Sequence, residues 1–333
     1  MTDLCAKIHL AQGGFTLDVE IAAPAGGITV LFGPSGAGKS SLLAALAGLK
    51  RPDAGRISLG TRVLDDRDTH LPPHRRGIGL VFQDARLFPH LSVRGNIAYG
   101  HRRAPPRTRP ALEDVAAFFD IAGQLDRPVA NLSGGEKSRV ALARAVASAP
   151  DFLLLDEPFA ALDGARRRAF VRVLLDMHKR FALPMLVVTH DMDDAAALGS
   201  HLIGLKDGRV AASGDFAATA ATPAFRAVLD RHDHGSAVAA AQLWPSPQTG
   251  GIRNVWLRAD HVLLAAEAPR AISARNVMAG TVAGIEAEED GSLMVTLATD
   301  AGPILSRITQ AALRELELVY GKTAWALVKA HAV

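Results

Sequence analysis

Residues 33–40 have the sequence GPSGAGKS, in which glycines, a lysine and a hydroxyl side chain follow the spacing G-x-x-x-x-G-K-[ST]. In such a glycine-rich turn the backbone N–H groups point at phosphate oxygens, and a helix that begins at its end adds a favourable field. The Lys39 ammonium would neutralise the β- and γ-phosphates, and the Ser40 hydroxyl would hold Mg²⁺. The spacing therefore predicts a loop that binds a nucleoside triphosphate. Its predicted contact residues are Gly33, Pro34, Ser35, Gly36, Ala37, Gly38, Lys39 and Ser40.

Acidic residues and a histidine end two further apolar segments. FLLLDEP at 152–158 contains Asp156 and Glu157, and VVTHD at 187–191 contains His190. Because a buried carboxylate is costly unless something pairs with it, Asp156 is expected to reach Mg²⁺, and Glu157 to act as general base on the attacking water. The alternatives are a strand that ends in solvent and a structural histidine. The carboxyl edge of an open α/β sheet, where ligands bind, favours catalysis.

Strands and helices must alternate around these residues. An apolar segment precedes the phosphate-binding loop, and a segment with apolar residues at helical spacing follows it. Strand-like segments return at 77–83, 152–158 and 184–190, whereas 84–150 is mostly helical, with helices expected in DARLFPHLSVRGNIAYG and RPALEDVAAFFDIAGQLD. KIHLAQGGFTLDVEI is typical of two antiparallel strands that turn at Gly13. The alternation predicts an α/β fold, a doubly wound parallel sheet with a helical insertion.

Composition limits the class of protein. The 333 residues are 49% hydrophobic and 21% charged with a net charge of +3, which excludes a disordered chain and a coiled coil. One cysteine excludes a disulfide scaffold and favours a reducing compartment. The arginines are scattered or clustered only locally, so no nucleic-acid partner is expected. Without a run of about 18 apolar residues, any membrane role should be peripheral.

The amino-acid composition of the chain changes near residue 232. A segment rich in proline, glycine, serine and small residues predicts a linker at 232–267, between an ATPase domain at 1–231 and a small β domain at 268–333. The helical subdomain should occupy about 84–150 of the first domain. In the second domain, GTVAGIEAEEDGSLMVTLAT alternates as two short strands joined by a hairpin turn.

The chain contains a further motif, NLSGGEKSRVALARAVA at 131–147. With this motif and those above in the order found here, the chain resembles the ATP-binding cassette (ABC) ATPases. The resemblance covers about residues 1–230 and implies a P-loop NTPase domain that works as a head-to-tail homodimer. Two ATP molecules would be sandwiched, each between the phosphate-binding loop of one subunit and the signature residues of the other. Those signature residues are Ser133, Gly134, Gly135 and Glu136.

The same resemblance assigns four more roles. Gln83 would be the Q-loop residue that senses Mg²⁺ and the attacking water, and His190 the switch histidine that contacts the γ-phosphate. Asp163 would be the D-loop aspartate. Phe15 is the candidate for the aromatic side chain that stacks on adenine, although FTLDVEI could equally place it in a sheet core.

The tail of the chain narrows the class of transporter. AISARNVMAG at 271–280, with the segments ITQAALREL and GKTAWALVKA, resembles the Mop domain, a small OB-like β barrel of the Mop/TOBE type found in molbindins and in molybdate importer ATPases. A molybdate dianion needs N–H and O–H donors and one or two cations. Here Ser273, Arg275, Asn276 and Lys329 are the candidates; alternatively, they only hold a dimer together.

These resemblances imply the ATPase of a molybdate importer, with ATP and Mg²⁺ as cofactors and molybdate bound at the tail. The partners would be two membrane permease subunits and, through them, a periplasmic molybdate-binding protein. The location would be the cytoplasmic face of a bacterial inner membrane. The alternatives are an importer for tungstate, sulfate or another anion, and a soluble oxyanion sensor or DNA-acting cassette protein without a permease.

Overall fold

The computed structural model describes residues 3–328, apart from 107, 161, 163, 221, 227, 229–237, 246–251, 270, 271, 273, 275, 289, 290 and 301. The chain divides into two compact units, Met1–Gly214 and Asp215–Val333. None of the helices within the described ranges is both long and apolar enough to cross a membrane.

The first unit alternates strands and helices along the chain. Its strands are β1 (Leu4–Gln12), β2 (Phe15–Ala23), β3 (Ile28–Phe32), β4 (Ala54–Leu59), β5 (Arg62–Asp65), β6 (Ile78–Val81), β7 (Phe152–Asp156), β8 (Met185–Thr189), β9 (His201–Lys206) and β10 (Arg209–Asp215). Its helices are α1 (Lys39–Ala47), α2 (Val93–His101), α3 (Leu112–Phe118), α4 (Gly134–Ala147), α5 (Gly164–Phe181) and α6 (Met192–Leu198).

The central sheet of this unit has the order β10-β9-β3-β8-β7-β6. Each pair from β9 to β6 is parallel, and β3, β7 and β8 are almost entirely buried, so their side chains read as continuous apolar runs. Because the strands are parallel, their carboxyl ends meet at one edge of the sheet. This arrangement confirms the predicted α/β class and brings the ends of β3, β7 and β8 together.

A second, antiparallel sheet of order β2-β1-β4-β5 belongs to the same unit. The hairpin of β1 and β2 turns at Gly13 as predicted, with Gln12 paired with Phe15. Buried and exposed residues alternate along both strands, so one face joins the core and the other meets solvent. Strands β4 and β5 were not expected from the sequence.

The helical insertion contains α2, α3 and α4, as expected for 84–150. The helix predicted from residue 84 nevertheless begins only at Val93, after a Ser92 side chain that accepts a hydrogen bond from an N–H of the first turn. Ala85 and Arg86 have φ values of 59° and 41°, in the left-handed region, and Pro89 lacks an N–H group. These features exclude a continuous helix over 84–92.

The second unit is mostly β structure. Its elements are α7 (Phe216–Ala220), α8 (Pro223–Arg226), β11 (Val238–Pro245), β12 (Ile252–Arg258), β13 (Val262–Ala265), β14 (Asn276–Ala287), β15 (Leu293–Thr299), β16 (Gly302–Ile308), α9 (Gln310–Glu315) and β17 (Thr323–Val328). Strands β13, β17, β14, β15 and β16 form one antiparallel sheet in that order over an apolar core. The β domain predicted from the alternation is therefore present.

The segment predicted as a linker, 232–267, contains regular structure instead. Strands β11 and β12 pair antiparallel, and β13 pairs with β17 at the edge of the five-stranded sheet. The residues described between 238 and 265 thus pair as strands, and the division of the chain at 231 and 267 stays a prediction.

Candidate functional site

The phosphate-binding loop joins the buried strand β3 to α1. Gly38 caps the helix with a φ of 102°, a conformation that side chains other than glycine rarely adopt. A Cβ atom on Gly38 would lie 2.8 Å from Cζ of Phe15, so the ring of Phe15 packs directly against the loop. Phe15 is half-buried there, and its role toward adenine stays a prediction.

The β9–β10 turn supports the same loop from the other side. The N–H of Gly208 donates to the carbonyl of Ala37 (3.2 Å), and the carbonyl of Gly208 accepts from the N–H of Asp18 (2.8 Å). A Cβ atom on Gly208, which has a φ of 75°, would lie 2.0 Å from the carbonyl oxygen of Thr16. The turn therefore ties the loop to β2, and only glycine fits at its tip.

Lys39 is the first residue of α1, and it is buried. Its Nζ donates to the carbonyl oxygens of Gly33 (2.6 Å) and Pro34 (2.8 Å), so the ammonium bridges the start of its own loop. Burial lowers the pKa of Lys39, and the negative charges of Glu157 and Asp156 oppose that shift. The cation is thus held at the concave side of the loop, opposite two carboxylates.

Asp156 is the last residue of β7 and lies beside Ser40. Burial raises the pKa of Asp156, the neighbouring charge of Glu157 raises it further, and the interaction with the Ser40 side chain opposes both. Asp156 and Gln83 also line one cavity of about 470 Å³. The side-chain oxygens of Ser40, Asp156 and Gln83 are ligands of the type that Mg²⁺ prefers. A bound cation would also offset the repulsion between the carboxylates of Asp156 and Glu157.

Glu157 and His190 follow β7 and β8. Glu157 has a φ of 43°, in the left-handed region that residues other than glycine rarely adopt. Nδ1 of His190 lies 3.4 Å from Oε1 of Glu157, with the histidine side chain 60% exposed and the glutamate 23% exposed. The pair is accessible to solvent and next to the buried Lys39 and Asp156, as a water-activating group would need to be.

The signature segment caps α4. The Ser133 hydroxyl accepts from the N–H of Glu136 (3.4 Å), and the Glu136 carboxylate accepts from the N–H of Ser133 (2.7 Å). These hydrogen bonds lower the pKa of Glu136, and Arg127 lies 3.6 Å from its carboxylate. A carboxylate at this position therefore completes a capping box. Gly134 and Gly135 begin the helix without side chains in front of its N-terminus.

Some predicted residues cannot be placed. Asp163, Ser273, Arg275 and Lys329 lie outside the described residues. Asn276 is half-buried at the first position of β14, where it pairs with Val328.

A cluster of charges that was not predicted from the sequence lies next to His190. Arg167 of α5 forms an ion pair with Asp191, whose side chain caps α6. The Nη1 atom of Arg167 also lies 3.6 Å from Oδ2 of the buried Asp194. Burial raises the pKa of Asp194 to about 7; nearby Asp191 contributes in the same direction and Arg167 opposes it. The sequence THDMDDA, with aspartates at the cap and first turn of a helix, is a signal that could have indicated this cluster.

Comparisons with known proteins agree with this geometry. The ABC transporter family model matches residues 17–160, and the TOBE domain model matches 272–333. A molybdenum import ATP-binding protein of Methylococcus capsulatus is 36% identical over 100% of this chain and 99% of its own length. Another, of Rhodospirillum rubrum, is 40% identical over 96% and 94%.

Among solved structures, cbiO1 from Clostridium perfringens, part of the ABC transporter complex cbiONQ, has a TM-score of 0.56 and 27% identity. That match covers 64% of this chain and 88% of cbiO1. The full-length relatives and the matched phosphate-binding domain place this chain in the family of ABC transporter ATP-binding subunits.

Proposed function

We propose that this chain is the ATP-hydrolysing, energy-coupling subunit of a molybdate importer. The observation that carries the proposal is the convergence of a buried lysine, a Ser40–Asp156 pair and a Glu157–His190 pair at one edge of the central sheet. A buried cation and four further polar groups around a phosphate-binding loop are what hydrolysis of a bound triphosphate requires.

The hydrolytic step follows from these positions. The loop N–H groups and Lys39 would bind the β- and γ-phosphates, while Ser40, Asp156 and Gln83 would hold Mg²⁺, which supplies neutralisation of charge on the phosphoryl oxygens. Glu157 would take a proton from water, and His190 would contact the γ-phosphate. The 3.4 Å separation of Glu157 and His190 supports their action on one water and one phosphoryl group.

A head-to-tail homodimer would complete each site. At the N-terminus of α4, Ser133 and Glu136 form the capping box, and the N–H groups of Gly134 and Gly135 would face a triphosphate held by the other subunit. Asp163, in the role of the D-loop aspartate, would lie at the same interface. Opening and closing of this dimer would drive the permease.

The cargo and partners rest on the full-length relatives, which are named for molybdenum import, and on the C-terminal TOBE domain. Molybdate would bind at Ser273, Arg275, Asn276 and Lys329. The subunit would sit on the cytoplasmic face of a bacterial inner membrane with two permease subunits, supplied by a periplasmic molybdate-binding protein.

The test is ATP-driven uptake by vesicles that contain this chain and its permease. Radiolabelled molybdate, tungstate and sulfate are offered in parallel, and Glu157→Gln is the control that retains the subunit without hydrolysis. Molybdate uptake that requires ATP and is lost in the control supports the proposal. Uptake of sulfate in preference to molybdate would refute the cargo, and a chain that does not copurify with a membrane subunit would refute the transport role.

A further inference from the structure

Arg144 connects the signature helix to the segment that follows Gln83. From the last turn of α4, its Nη1 donates to the carbonyl oxygen of Arg86 (2.8 Å) and its Nη2 to that of Ala85 (3.1 Å). The Arg144 side chain is half-buried, and burial lowers the pKa of its guanidinium. The rigid, planar guanidinium holds two successive carbonyls in one fixed geometry, which the single flexible ammonium of a lysine does not impose.

The two carbonyls belong to a strained turn. Ala85 and Arg86 both have positive φ values, an arrangement that persists only where surrounding groups impose it. Local hydrogen bonds from the N–H of Ala85 to Phe82 and from the N–H of Arg86 to Asp84 close the turn. The external support of its carbonyls comes from Arg144.

The far end of the segment is fixed as well. The fully buried Asn96 of α2 accepts from the N–H of Phe88 (2.9 Å) and donates to its carbonyl (3.2 Å). The guanidinium of Arg144 lies 5.1 Å from the centroid of the Phe88 ring. Residues 85–88 are therefore tied to α2 and α4 of the helical insertion, while Arg86 also lines the cavity beside Asp156.

These contacts link the segment after Gln83 to the helix that begins with the signature residues. Gln83 lines the cavity with Asp156, only two residues before the turn. Ser133, which caps the other end of α4, lies eleven residues before Arg144, or about 16 Å along the helix at 1.5 Å per residue. Arg144 therefore joins α4 directly to the segment that carries Gln83.

We propose that Arg144 is a positioning residue that makes Gln83 move with the signature helix, so that closure of α4 on the partner's ATP brings Gln83 to the Mg²⁺ and water of its own site. This inference rests on the head-to-tail dimer of the proposed function. Arg144 itself touches neither nucleotide nor water in this scheme.

The test uses the full-length chain and measures ATPase activity as Mg²⁺ is titrated at fixed ATP. Arg144→Lys keeps the charge but replaces the rigid planar guanidinium, which holds both carbonyls in one geometry, by a single flexible ammonium. We expect a kcat about tenfold lower, the rate equivalent of one hydrogen bond to a charged group, and a higher Mg²⁺ requirement. Nucleotide binding without Mg²⁺, which depends on Lys39, should change less than twofold. Arg139→Met, on the exposed face of the same helix, is the matched control and should match wild type.

A double-variant cycle separates positioning from general destabilisation. If Arg144 acts through Gln83, adding Arg144→Lys to Gln83→Ala should lower kcat no further. Losses that multiply in the double variant, or a single variant with the wild-type kcat and Mg²⁺ requirement, would overturn the inference. A wild-type chain without Mg²⁺-dependent ATPase activity would instead overturn the proposed function, and the inference with it.

Discussion

A buried arginine far from the nucleotide should control the stability of the first unit. Arg76 is completely buried, and its guanidinium donates to Asp65 (2.6 Å) and to the carbonyls of Leu71 (2.8 Å), Ala45 (2.9 Å) and Leu46 (3.0 Å). The latter two belong to the last turn of α1, the helix that starts at the phosphate-binding loop. Arg76 therefore joins this helix to β5 of the antiparallel sheet.

Arg76→Met keeps most of the side-chain volume but removes every donor. The Asp65 carboxylate, with only 5% of its side chain exposed, would keep His70 as its remaining partner, and three carbonyls would lose a donor. Removing one member of a buried ion pair costs about 3–5 kcal/mol. We expect the free energy of unfolding of this unit to fall by that amount.

Urea denaturation followed by circular dichroism measures this change as a shift of midpoint at constant slope. All three tryptophans lie in the second unit, so their fluorescence provides an internal reference. Lys7→Met is the control, because the Lys7–Glu20 pair of the same sheet has side chains 72% and 76% exposed and should contribute less than about 1 kcal/mol. A loss for Arg76→Met no larger than for Lys7→Met would show that the buried pair is not stabilising.

Three further predictions concern the catalytic edge of the sheet. Glu157→Gln should retain ATP binding and trap a closed dimer, detectable by size-exclusion chromatography with ATP; hydrolysis at the wild-type rate would exclude Glu157 as the base. Lys39→Ala should instead weaken ATP binding itself, as measured by calorimetry, and unchanged affinity would contradict its place in the loop. Because the pKa of Asp194 is raised from its ordinary 3.8 to about 7, the folded protein holds this proton more tightly than the unfolded chain, and stability should decline as pH rises from about 4 through 7. Asp194→Asn should flatten that decline in urea titrations at several pH values, and an unchanged profile would argue against the shift.

The central sheet could be predicted from sequence because its signals are local. Continuous apolar segments end at Phe32, Asp156 and Thr189, and each is followed by residues with a chemical role. In a parallel sheet such ends must meet, so the pairing of Glu157 with His190 follows from the pattern once the topology is known.

Features that depend on contacts distant in sequence could not be predicted. The pairing of β1 with β4 joins residues about fifty positions apart, and Arg76 looks like any surface arginine in RRGIGL. The left-handed turn at Ala85 and Arg86 is stable because Arg144 holds it, which no local propensity indicates. The strands within 232–267 likewise depend on partners in the fold rather than on composition.

The contacts of Gly208 mean that the phosphate-binding loop is a tertiary structure rather than a self-contained motif. Its Ala37 carbonyl accepts a hydrogen bond from Gly208, in a turn 171 residues later in the chain, and the N–H of Asp18 in the antiparallel sheet donates to the carbonyl of the same glycine. A synthetic peptide of residues 28–48 would contain every residue of the consensus and still lack this scaffold. It should therefore bind triphosphate no better than an unstructured chain of the same charge.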